Sequence, residues 1–275
     1  MHAANAICPL LFAALYFSPK NRCDFDTLGQ LCFDKPLFTR MLRFGGPSGV
    51  HFFTEVAAFS VFVLMIGRLG PVAHVASNIA LSINLIAFMP MIGMGIAAAI
   101  LVGQYLGRDN SKEAERMGWF ALRIGMGYIG VIGITFIIFP DIYLRLFTAE
   151  NANVCAVALS DAVQKLLIMV AIWGLADAAS LILSGALKGA GDTHFVMRYQ
   201  AWAAWGFLVP GQIVIVAILE AHYLISWAWT LLYIIILGGG FTIRFASGRW
   251  KEIKLIDRHS VSTPLGTGAD TVKKI

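Results

Sequence analysis

Residues 159–186 read LSDAVQKLLIMVAIWGLADAASLILSGA. At 1.5 Å per residue this run exceeds the roughly 20 residues needed to cross the hydrocarbon core of a bilayer. Past Lys165 it carries a single charge, Asp177. Five further runs have the same character, at about 48–67, 72–106, 119–139, 195–219 and 223–245. All are continuous and none alternates, which fits helices and not the ten-residue strands of a membrane barrel. A shorter run near 6–17 is too brief to span, and residues 1–17 are expected to be the end of a truncated transmembrane helix. The expected fold is an all-α integral membrane protein of six spans plus that stub.

Composition agrees. Of 275 residues 58% are hydrophobic and 13% charged, about half the charge that soluble domains carry. A water-facing surface of this size cannot be clothed with so little charge, which excludes an ordinary cytosolic enzyme and a disordered chain. The net charge of +5 lacks the basic runs interleaved with aromatics that a nucleic-acid surface needs. Cys8, Cys23, Cys32 and Cys155 show no zinc or disulfide spacing. The basic residues instead fall on alternate connections: 18 of 21 Lys and Arg lie in 18–47, 107–123, 187–198 and the tail after 243. By the positive-inside rule that side is cytoplasmic and the C-terminus lies within. The expected segments are a cytoplasmic linker at 18–47, a six-helix lobe at 48–245 and a disordered cytoplasmic tail at 246–275.

Two carboxylates fall inside spans. Glu55 is expected roughly 10 Å deep and Asp177 roughly 15 Å, with no Lys or Arg at matching depth. An acid there costs at least about 2.5–3.5 kcal/mol, a penalty that a proton or a bound cation relieves. A group forced to choose between the two suits a coupled transporter. The bland alternative is a protonated carboxyl donating a hydrogen bond between helices. Trp173, Asp177, Ser180 and Ser184 share a helix face, as do His51, Glu55 and Phe59 with Thr54 beside them. Asn78 and Ser82 sit one turn apart. These are candidate cavity-lining residues, although Ser and Asn stripes also serve as packing glue between membrane helices.

Two strings resemble protease motifs and fail on chemistry. GAGD at 189–192 lacks a second intramembrane aspartate, and Asp192 is expected in a solvated loop. GPSG at 46–49 lacks a histidine base in a later span, with His74 in an external turn. Pro47 is expected to start a helix. No enzymatic activity and no cofactor are expected.

FGGPSG at 44–49, FFTEV at 52–56, LVGQYLG at 101–107 and GALKGAGDT at 185–193 occur in this order around Asp177. In that order they resemble the multidrug and toxic compound extrusion (MATE) family, specifically the C-terminal lobe of its NorM-type members. The resemblance implies two six-helix lobes around a pseudo-two-fold axis, with a cavity between them. It implies exchange of Na+ or H+ for small amphipathic, cationic compounds across the inner membrane. Glu55 and Asp177 would correspond to the acids of the C-lobe cation site and would ligate Na+ if sodium is the coupling ion. Where the NorM-type pattern has Tyr, this chain has Trp173, which removes a hydroxyl but retains a π face for a cation. A partner for this lobe is expected, either an N-terminal lobe of the same gene or a second lobe. Rival readings are a flippase-type exporter of lipid-linked or polysaccharide intermediates, and a transport-inactive scaffold. The first would need cationic residues in its cavity.

Overall fold

The computed structural model describes residues 35–140, 142–143, 156–219 and 221–252. Residues 1–34 and 253–275 lie outside it, and with them the helix end expected at 1–17 and most of the expected tail. The chain divides into units Met1–Arg43 and Phe44–Ile275; the second holds the packed helices.

Among the described residues the long elements are all helical. They are α1 (Lys35–Arg68), α2 (Pro71–Gly107), α3 (Ser111–Ile138), α4 (Ala156–Gly189), α5 (Thr193–Ile218) and α6 (Tyr223–Ala246). Each has a stretch long and apolar enough to cross a membrane. Short connections force neighbours to reverse. Gly70 adopts φ 113° before Pro71, which starts α2 with its missing N–H in the first turn. The Asn110 side chain accepts from Glu113 N at 3.2 Å and caps α3. Gly191 takes φ 85° between α4 and α5.

α4 lies at the centre, packed along α2, α3 and α6. Small residues bring the backbones together. A β-carbon on Gly185 would collide with the Gly95 backbone, and one on Gly189 with the Ala99 carbonyl. On another flank, a β-carbon on Gly238 of α6 would lie 2.7 Å from the Ala176 carbonyl oxygen. Close approach of this kind is how helices associate in lipid, where apolar burial alone favours no partner. Trp227 of α6 fills the adjoining interior. Its Nε1 donates to Ser77 Oγ at 3.0 Å, and its ring meets those of Phe62 and Trp173 edge-on, each at 5.5 Å.

Four expectations need correction. The stretch 35–47, expected as linker, is helical, and Pro47 lies inside α1. The helix continues through Gly45, Gly46, Pro47 and Gly49 despite their poor intrinsic propensity. His74 belongs to the first turn of α2, not to a loop. The tail is ordered at its start: a 3₁₀ turn, Arg249–Glu252, buries Trp250 against Phe245 and pairs Lys251 with Glu115 at 2.6 Å. Asp192 is buried, not solvated, and pairs with Arg244 at 2.8 Å while that guanidinium also covers the Phe195 ring.

α5 departs from regular geometry in a way its sequence does not advertise. Two π-helical segments, Trp202–Leu208 and Val214–Ile218, flank a short α segment containing Pro210. Proline removes one backbone donor and crowds the preceding turn, and wide turns are one means of accommodating it. Gln212, fully buried, anchors the segment to α6. Its Nε2 donates to Ser226 O at 2.9 Å and to Thr230 Oγ1 at 2.8 Å, and Ser226 Oγ donates to its Oε1 at 2.5 Å.

Gly185→Leu should therefore separate α2 from α4 and destabilise the protein by about 1–3 kcal/mol. The midpoint of thermal aggregation in detergent measures it. Gly239→Ala, at a position with open space around it, serves as the control and should leave that midpoint unchanged or raised.

Candidate functional site

The small-residue seam fixes the rotation of α4. With Gly185 and Gly189 against α2, the face holding Trp173, Asp177, Ser180 and Ser184 lies between α2 and α6. Trp173, Ser180 and Ser184 are buried and Asp177 is half-buried. Ser184 Oγ returns to the Leu181 carbonyl at 3.1 Å, which is packing behaviour. The Nε1 of Trp173 finds no partner among the described residues.

α1 supplies His51, Thr54 and Glu55. His51 and Thr54 are buried and Glu55 half-buried, while Phe59, one turn on, is 41% exposed. Glu55 and Asp177, expected separately from two spans, act electrostatically on each other. Both act on Tyr233 of α6, whose hydroxyl accepts from Gln200 Nε2 of α5 at 3.0 Å. The two carboxylates and the phenol belong to three helices, α1, α4 and α6. When both acids are ionised they repel each other, and a positive charge between them relieves the repulsion.

Lys188 was not expected here. It ends α4 on the face of Asp177 and Ser184, half-buried, and its charge acts on Glu55 and on His51. The expectation is of no Lys or Arg at matching depth, and Lys188 lies about three helical turns beyond Asp177. Assigning Lys188 to a loop hid it, because α4 runs to Gly189, beyond the apolar run that suggested its end. Spacing did contain the signal: Lys188 follows Asp177 by eleven residues, three helical turns. Tyr233 and Gln200 offered no such signal, since their pairing joins two different spans.

Asn78 and Ser82 stand apart from the acids. Both are exposed on α2. Asn78 Nδ2 meets His74 Nε2 at 3.1 Å, and Ser82 Oγ donates to the Asn78 carbonyl at 2.8 Å. Asn78 borders a crevice with Phe62, His74 and Ser77 that leaves no room for a ligand. Among the described residues no three His, Cys, Asp or Glu side chains gather as a metal site would need. The carboxylate oxygens of Glu55 and Asp177 are hard donors, suited to a proton or a hard cation.

Tyr233→Phe would leave Gln200 Nε2 buried without its acceptor. It should destabilise the protein by about 1–3 kcal/mol, whereas the pair Gln200→Leu/Tyr233→Phe should lose less than the two single changes together. Denaturation of the four proteins in detergent closes the cycle.

Comparison with known proteins places these helices in context. The MatE family model matches residues 47–214. The chain is 30% identical over 181 residues to the probable multidrug resistance protein NorM of Brucella suis, covering 64% of this chain and 37% of that protein. It is 31% identical over 171 residues to the multidrug resistance protein MdtK of Proteus mirabilis, covering 62% and 36%. The chain thus spans well under half the length of these curated relatives. Among solved structures it superposes on a multidrug resistance MATE family transporter of the MOP superfamily in its outward-facing conformation. The TM-score is 0.73 at 16% identity, over 87% of this chain and 53% of that one, a likeness of fold alone.

Proposed function

The chain belongs to the MatE family, and from that premise we propose that it forms the C-terminal half of a cation-coupled multidrug efflux antiporter. It exports amphipathic, cationic small molecules by alternating access. Residues 48–245 act as one lobe, and a second six-helix lobe, from the same gene or another chain, completes the cavity wall. The observation that carries the reading is an acid within each of two spans, Glu55 of α1 and Asp177 of α4, the latter on the face of buried Trp173, Ser180 and Ser184. Coupling follows from competition. Two neighbouring acids favour one compensating positive charge, so Na+ or H+ and a cationic drug exclude each other. Transporter sites commonly lie at the interface between repeats, and a lobe that holds both acids supplies one wall of such a site.

The bias of Lys and Arg supports placement across the inner membrane with the C-terminus cytoplasmic. Thiol reagents should label Cys23 and Cys32 from the cytoplasmic side and an Asn151→Cys variant from outside. Labelling of all three from one side contradicts the six-span arrangement.

Coupling is tested with the chain expressed beside an N-terminal lobe. Glu55→Gln and Asp177→Asn keep volume and remove the titratable charge. Each should abolish drug export driven by an imposed Na+ or pH gradient, with expression near normal. An amide can still donate a hydrogen bond, so undiminished export in both variants would return the acids to a structural role.

A further inference from the structure

We propose that Trp227 is a seal: its indole closes the external end of the bundle above Glu55 and Asp177, so that a cation reaches these acids only from the flank of the lobe. The inference rests on the reading of the two acids as the cation site and adds a residue that decides how they are approached.

A layer of rings spans three helices. Trp227 of α6 meets Phe62 of α1 and Trp173 of α4 edge-on, each at 5.5 Å, and Phe62 meets Phe59 at 6.0 Å. The Trp227 Nε1 donates to Ser77 Oγ of α2 at 3.0 Å, so one side chain joins four helices. It is 1% exposed. Its neighbours on α6 are held as well, since Ser226 and Thr230 bond to Gln212 of α5.

The layer lies on one side of the acids. Phe62 and Ser77 fall within about two turns of the connection between α1 and α2, the end that the bias of Lys and Arg puts outside. Along α1, Glu55 precedes Phe62 by seven residues, which sets it roughly 10 Å deeper. Along α4, Asp177 follows Trp173 by four residues, roughly 6 Å deeper. A narrow crevice at this end is lined by Ile66, His74 and Asn78 together with Phe62 and Ser77. Phe62 and Ser77 are also the partners of Trp227, whose ring stands between the crevice and the acids. The flank of α1 is open by comparison: Glu55 is half-buried and Phe59 is 41% exposed.

One donor in the layer is unpaired. Trp173 is 6% exposed, and its Nε1 has no partner among the described residues. A buried N–H without an acceptor is costly, and water relieves it. Removing the Trp227 ring would leave a space bordered by that indole and the Ser77 hydroxyl, polar enough to admit water.

The test places a thiol at the acid. In the full chain with Cys8, Cys23, Cys32 and Cys155 changed to Ser, Asp177→Cys is treated in intact cells with a membrane-impermeant trimethylammonium methanethiosulfonate. Modification of a covered thiol tracks the population of open states, so Trp227→Ala should accelerate it by about tenfold or more. Trp227→Phe, which keeps a ring in the layer, should stay within about threefold of the parent. Ala98→Cys, on a fully buried position of α2 close to the Gly95–Gly185 crossing, reports general loosening and should not respond to Trp227→Ala. No acceleration at Asp177→Cys, an equal gain at Ala98→Cys, or a phenylalanine variant as fast as the alanine one overturns the proposal. So does a parent in which Asp177→Cys reacts as fast as Asn151→Cys. Should Trp227→Ala fail to insert, Phe62→Ala is held to the same thresholds. The readout is a thiol and not a cation, so undiminished export in Glu55→Gln and Asp177→Asn would remove the cation site without moving these rates, and the two readings fail separately.

Discussion

The structure depends on backbone meeting backbone where α4 crosses α2. In lipid, burying leucine against leucine gains little over leaving it in acyl chains, so helices associate through packing at short range and through polar contacts. Gly185 over Gly95 and Gly189 over Ala99 allow that range. Because α4 also borders α3 and α6, its rotation on α2 decides which of its side chains face the interior. Had the glycines fallen one position later, Asp177 would point elsewhere around the helix. The acidic site is therefore a consequence of packing before it is a matter of chemistry.

Charge in this molecule is handled in two distinct ways. At the end of the bundle near Gly189, acids and bases are matched directly: Asp192 with Arg244, Glu115 with Lys251. These pairs tie the α4–α5 turn and the start of the tail to their neighbours, and the rings of Phe195 and Trp250 shield them in part. Further in, Glu55 and Asp177 enter none of the ion pairs among the described residues. Matched pairs fix structure. An unmatched pair of acids leaves the interior short of positive charge, the condition a transported cation can satisfy.

Much of this was legible in the sequence. Six apolar runs marked the six long helices to within three residues at most ends, although α1 starts thirteen and α3 eight residues earlier, and Glu55 and Asp177 stood out because isolated acids in such runs are rare. Trp173, Ser180 and Ser184 shared the face of Asp177 by spacing alone, and all three are buried there. The misses have a common cause. Hydropathy registers where a helix leaves the hydrocarbon, not where it ends, so the polar ends of α1 and α4 read as linker and loop. Lys188 and Pro47 were misplaced together for that reason. Asn78 and Ser82 show the converse: helical spacing paired them correctly, but no periodicity tells which side of α2 is covered. The contacts of Tyr233 with Gln200 and of Gln212 with Ser226 and Thr230 cross from span to span, and local pattern is silent about them.

The wide turns of α5 bear on how this helix can change length. A π turn holds about one residue more than an α turn, so the segments on either side of Pro210 store surplus backbone within a continuous helix. Drawing one such turn into α geometry rotates the chain beyond it by about 100° and lengthens the helix slightly, without opening either end. Gln212 sits between the two stores, bonded to α6. The helix is pinned at its middle and adjustable on both sides, so a twist taken up toward one membrane face need not be transmitted to the other.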